Sequence, residues 1–147
     1  DYVDDDKIDL TAMQKDLSSY KGKTSTSSPS PHEWENAFGD AEVVFCITIT
    51  STLSGTYNSA VIAKDIYEQN HAGRKVYVLD SLSTGPEIAL FIEKIAELIK
   101  VGFAPDDIYK TLLEYKDKTH LYFSLASLNN FAKKQAVHRK ASVRVRA

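Results

Sequence analysis

A chain of 147 residues with 43% hydrophobic and 26% charged residues has the balance of an ordinary globular domain and enough length for one core, which excludes a fibrous or disordered protein. No apolar run approaches the roughly 18 to 20 residues that a membrane span requires, so stable membrane insertion is not expected. The net charge of -2 hides an asymmetry, because Asp1, Asp4, Asp5, Asp6 and Asp9 crowd the start while no acidic residue follows Asp117.

In chain order, the opening "DYVDDDKIDL" is acidic where a secretory signal would be basic and then apolar. Leu10, Met13, Leu17 and Tyr20 follow at helical spacing and define one apolar face, and "YKGKTSTSSPSP" breaks the pattern into a loop. In "SPHE", Ser30 can cap, Pro31 suits the first helical position and Glu33 completes a capping box, so a short helix through Phe38 is expected. "EVVFCITIT" is a continuous β-branched run too short for a buried helix and reads as a strand covered on both faces. Its Cys46, the single cysteine, reads as a buried core thiol, which fits a reducing cytoplasm.

"GTYNSAVIAKDIYEQN" has Tyr57, Val61, Ile62 and Ile66 at helical spacing, Gly73 turns the chain, and "KVYVLDS" is a second buried strand. A broad apolar helix through Ile88 to Ile99 follows "LSTGP", and "APDDIYKTLLEY" opens another with Pro105 in its first turn. "THLYFSL" reads as a third strand and "SLNNFAKK" as the start of a last helix. This alternation predicts an α/β fold of three layers, α/β/α, around a mainly parallel sheet. The basic tail "KKQAVHRKASVRVRA" has neither an Arg/Gly repeat nor interleaved aromatics, and is read as solvated or non-native rather than as a nucleic-acid arm.

In an open parallel sheet the ligand site lies beyond the carboxyl ends of the strands. Three loops rich in hydroxyls or amides meet there on this reading: Thr50 to Gly55, Asp80 to Gly85 and Ser124 to Asn130. The first also opens a helix, whose free N–H groups favour an anion. Ser and Thr also cap helices for purely structural reasons, and a single such loop would carry little weight. The fingerprints of a P-loop, a dinucleotide fold and a serine-hydrolase elbow are absent from the sequence. His32, His71, His120 and His138 are all read as lying away from the rim, and none is paired at metal-ligand spacing, so no catalytic residue and no metal is assigned. Asp80 ends a strand where a phosphoryl acceptor can stand, but Leu82 occupies the place of a second carboxylate. It is therefore read as an acceptor that orients its loop.

"TSSPSPHEW", "ITSTLSGTYNSA", "VYVLDSLSTGPE" and "LYFSLASLNNFAKK" resemble, segment by segment, the motifs of the DegV family, bacterial proteins that bind a fatty acid and in many members present it to a fatty-acid kinase. The resemblance spans about Asp1 to Lys134. It implies a long-chain fatty acid as ligand, no other cofactor, and a carboxylate held at the rim with the acyl chain in an apolar tunnel between two domains. Thr26 and Ser54 stand at the head-group threonine and serine, Gly55 and Thr56 would add backbone N–H donors, and Asp80 and Ser81 would support the loop. Trp34 replaces the usual Phe. The family's opening strand with its T-D-S motif would precede Asp1, "QAVHRKA" replaces its later Gly-Arg turn, and the second domain is not in the sequence. The expectation is a partial first domain over residues 1–135 and a basic tail over 136–147.

The leading expectation is a lipid carrier without catalysis. The alternatives are a phosphoryl-transfer or phosphatase enzyme using Asp80 and the Ser54 loop, and a truncated chain with no competent pocket.

Overall fold

The computed structural model describes residues 2–3, 5–22 and 24–121. Seven elements follow one another: α1 (Leu10–Ser19), α2 (Pro31–Phe38), β1 (Val43–Thr48), α3 (Thr56–Asn70), β2 (Lys75–Asp80), α4 (Gly85–Lys100) and α5 (Pro105–Lys116). The expected last helix, the basic tail and the expected third strand from Tyr122 onward lie outside the described residues.

β1 and β2 pair in parallel, with Val44 opposite Val76, Phe45 opposite Tyr77, Cys46 opposite Val78 and Thr48 opposite Asp80. Side chains alternate across a strand, so this register sends each pair to one face. Val44, Cys46, Val76 and Val78 pack with Phe38, Ala60, Ala63 and Tyr67 from α2 and α3. Phe45, Ile47 and Leu79 pack on the other side with Phe91, Ile95, Leu98, Ile108 and Leu112 from α4 and α5. The three layers expected from two-sided apolar strands are therefore present, with one core on each face of the sheet. Ala60 and Ala63 let α3 approach the sheet closely, and both are fully buried. Burial pushes the Cys46 thiol up to about 12, which makes it inert as a nucleophile at neutral pH.

Buried hydroxyls in these cores have fixed partners. Tyr67 donates toward the carbonyls of Gly39 and Ala41, both at 2.9 Å, and Arg74 donates to its oxygen at 2.9 Å. Tyr77 donates to Asp106 Oδ1 at 2.6 Å, and burial together with that carboxylate raises its phenol to about 12. Gly73 takes φ 84 in the turn before β2, a conformation that favours glycine.

One observation completes the sequence reading and one corrects it. No residue of α1 is fully buried among the described residues, Met13 being half-buried and Leu10, Leu17 and Tyr20 exposed, although Asp9 caps the helix by accepting from Ala12 N–H at 2.9 Å. Spacing defines a face, but only a neighbour can bury it. His120 does not stand away from the rim: it lines a cavity of about 450 Å³ with Ser81, Leu82, Glu87 and Thr119. The reason is topological. α4 and α5 form a helical hairpin, closed by a hydrogen bond from Thr119 to Glu87 in the first turn of α4, and two successive helices return the chain to the edge it left.

No helix among the described residues is long and apolar enough to cross a membrane.

Candidate functional site

The site is built where β1 and β2 end. Thr48 and Thr50 close β1 as buried residues, and Ser81 and Ser83 follow β2, also buried. Three hydrogen bonds clip the two loops together: Ser81 N–H to Thr48 O at 3.1 Å, Thr50 N–H to Ser83 O at 2.8 Å, and Ser51 N–H to Asp80 Oδ1 at 3.2 Å. The same Asp80 oxygen accepts from Leu82 N–H at 3.0 Å. Both acceptances fall on a carboxylate at the end of its strand, so Asp80 fixes two backbones. Ser81 Oγ accepts from Ser83 N–H at 3.2 Å and closes the second loop on itself.

The first loop is a hydroxyl chain. Thr50 Oγ1 and Thr52 Oγ1 lie 2.9 Å apart, and Ser54 Oγ and Thr56 Oγ1 lie 2.6 Å apart. Thr56 N–H donates to Ser54 Oγ at 3.2 Å. α3 then starts on Gly55, which supplies no side-chain cap and has no acidic residue after it in the first turn. Among the described residues nothing accepts from the N–H groups of Gly55, Tyr57 and Asn58. These are the donors that a helix start leaves open, at the positive end of its dipole.

The loop of residues 24–30 lies over this helix start. Ser59 donates to Pro29 O at 2.6 Å, and Ser28 Oγ sits 3.5 Å from where a Cβ on Gly55 would be. Thr26 belongs to that loop and is exposed, with no hydrogen bond joining it to Ser54 or Thr56. Ser54, Gly55 and Thr56 are thus assembled, Asp80 and Ser81 brace the neighbouring loop, and Thr26 stands exposed on the overlying loop, joined to neither. The third expected loop, Ser124 to Asn130, lies outside the described residues.

Sequence reasoning missed two residues that matter. Ser59 sits in the buried side of α3 and anchors the Thr26 loop, a role signalled only by a serine on an apolar helical face. Ser83 is buried with its backbone oxygen taken by Thr50 and with no partner for its hydroxyl among the described residues. No group of three or more metal-ligating side chains occurs among the described residues.

The fold and rim define a three-layer α/β protein with a hydroxyl-lined site at its strand ends. The chain belongs to the DegV family: residues 1–141 match the model of the group described as uncharacterised protein, DegV family. It is 38% identical over 132 residues to a DegV domain-containing protein of Streptococcus pneumoniae, a match covering 90% of this chain and 47% of that protein. A DegV family protein from Eubacterium eligens, solved loaded with heptadecanoic acid, superposes with a TM-score of 0.85 at 38% identity, over 92% of this chain and 49% of that one. The Streptococcus pneumoniae fatty acid kinase (Fak) B3 protein, solved loaded with linoleic acid, gives a TM-score of 0.76 at 36% identity over 79% of this chain and 41% of its own. The chain spans about half the length of the curated relatives it matches.

Proposed function

We propose that this chain binds a long-chain fatty acid through its carboxylate and serves, in the cytoplasm, as the carrier from which a partner fatty-acid kinase takes the acid, with no catalysis of its own. The observation that carries the reading is the hydroxyl pair Ser54 and Thr56, 2.6 Å apart at a helix start that has no carboxylate of its own. A carboxylate there would accept from Ser54, from Thr56 and from the open N–H groups around Gly55, with Thr26 reaching in from the overlying loop and Asp80 and Ser81 holding the rim rigid. Hydrogen bonds to a charged group contribute about 1.5 to 3 kcal/mol each, and each buried methylene of the chain adds about 0.8 kcal/mol. The fatty acids named in the similar structures support the ligand class, and the likeness to the Fak B3 protein supports the kinase.

On the same reading residues 1–135 form the lipid-binding unit, and the basic tail 136–147 takes no part. Neither a nucleic acid nor a metal is required.

The test is a titration of heptadecanoic acid and of heptadecanol into the purified chain and its Ser54→Ala variant. The acid should lose at least tenfold in affinity on substitution, and the alcohol, which fills the same apolar space without a carboxylate, much less. Equal losses would show that the rim does not read charge.

A further inference from the structure

Leu82 is the one non-glycine residue with positive φ among the described residues, at φ 55. In that region a Cβ crowds the neighbouring carbonyl oxygen, a penalty that glycine escapes and that asparagine bears more easily than leucine. Burial does not compensate, since Leu82 is 59% exposed while its neighbours Ser81 and Ser83 are 1% and 2% exposed. The conformation is imposed from both sides. Asp80 Oδ1 holds Leu82 N–H, Ser81 N–H is held by Thr48 O, and Ser83 O holds Thr50 N–H.

A large apolar side chain is therefore held 59% exposed on a hydrogen-bonded loop, between two buried serines and in the lining of the open cavity that also has Glu87, Thr119 and His120 on its wall. Stability alone gives no return for a leucine there. Strained residues of this kind persist where the surroundings over-determine them and gather at ligand clamps.

We infer that Leu82 is an apolar contact for the acyl chain as it leaves the carboxylate site, distinct from the head-group cradle. The inference rests on the fatty-acid reading above. The occupant is an acyl chain because Asp80 ties the Leu82 backbone directly to Ser51 of the loop that carries Ser54. That same loop carries a second exposed leucine, Leu53, and similar structures are loaded with heptadecanoic and linoleic acids.

Two variants of the whole chain test it. Leu82→Gly removes the contact and suits the backbone, and Leu82→Asn keeps a side chain that tolerates the same φ. Both should melt no lower than the original chain. Affinity for heptadecanoic acid should fall about fivefold to tenfold in each, the scale of losing most of one leucine contact. Heptadecanol should lose as much, because an apolar contact does not read charge, whereas Ser54→Ala spares the alcohol. If the original chain binds the acid and both variants bind it equally well, Leu82 is no part of the site while the carboxylate reading stands. Variants that melt markedly lower would show that Leu82 stabilises the fold itself and would overturn the inference. An original chain that takes up no fatty acid overturns both.

Discussion

The starts of α2 and α3 are two answers to the same physical problem. Each leaves donors exposed at the positive end of a helix dipole, and each is flanked by serine. At α2, Ser30 Oγ accepts from Glu33 N–H at 3.3 Å, and Glu33 Oε2 accepts from Ser30 N–H at 2.7 Å and from its hydroxyl at 2.8 Å. The helix carries its own carboxylate three residues in, and the box is closed. At α3 the equivalent third position is Asn58, the cap is Gly55, and the hydroxyls of Ser54 and Thr56 turn to each other. The other described helices also start with an acid: Asp9 at the cap of α1, Glu87 in α4, Asp106 and Asp107 in α5. What separates α3 among the described helices is that neither its cap nor its first turn carries an acidic residue, which on the proposed function leaves the place to a ligand carboxylate.

The largest expected effect tests the open start. Ser54→Ala should lower affinity for a long-chain fatty acid by about 1.5 to 3 kcal/mol, the range for a hydrogen bond to a charged group, with little change in melting temperature. Thr26→Val, which keeps volume and removes the hydroxyl, should weaken binding by a similar amount. The two losses need not add, because both donors serve one head group. A Ser54→Ala chain that loses stability and keeps affinity would make α3 a second self-capped helix and end the contrast.

The closed start should show the reverse. Ser30→Ala should cost about 0.5 to 2 kcal/mol of stability, as loss of a serine cap does, and leave fatty-acid affinity unchanged once binding is measured well below the new melting temperature. Urea denaturation alongside the ligand titration separates the two quantities.

Gly55 sharpens the comparison with a smaller effect. Its φ of -74 and ψ of -1 lie in the right-handed region open to any residue, and an added Cβ would meet only Ser28 Oγ at 3.5 Å, an ordinary contact. The fold does not require glycine there. Gly55→Ala should therefore change stability by no more than about 1 kcal/mol, the unfolded-state gain being offset by the poor standing of alanine as a helix cap, and on the proposed binding mode should weaken binding because the methyl would stand where the carboxylate approaches the N–H groups. Unchanged affinity would move the head group away from Gly55.

Much of this was legible in the residues, for physical reasons that differ from place to place. "EVVFCITIT" and "KVYVLDS" announce strands covered on both faces because neither shows a polar side, and "SPHE" announces the α2 box because its three parts have fixed spacing. The α1 face was legible as a face but not as an uncovered one, since Leu10, Met13 and Leu17 carry no information on what lies opposite. The position of His120 depends on α4 and α5 folding back as a hairpin, a tertiary property invisible in local pattern. At the rim, composition pointed to hydroxyls at strand ends. The assignment of Thr26 and Ser54 to a head group came from the family resemblance. The geometry that overlays the Thr26 loop on α3 runs through Ser59 and Pro29, which no motif distinguishes. The left-handed backbone of Leu82 was illegible because turn chemistry favours Gly or Asn at such a place.

The smallest expected effect concerns the pH at which the closed start opens. The Ser30 N–H and hydroxyl hold the Glu33 carboxyl below its ordinary value of 4.5. A carboxyl with a folded-state pKa below its unfolded one binds fewer protons when folded in the interval between the two values. Its contribution is complete above the unfolded value and is lost as pH falls through that value toward the folded one. Glu33→Gln removes this titration while keeping the side chain's length. The original chain and the variant should therefore differ most in urea midpoint at neutral pH, and the gap should narrow steadily below pH 4.5. Glu68, held low against its burial by Val76 N–H and Lys64, titrates in the same direction in both chains and cancels in the difference. A gap independent of pH would mean that Glu33 stabilises α2 by packing rather than as a charged cap, and the contrast between a helix that supplies its own carboxylate and one that has none would then rest on α3 alone.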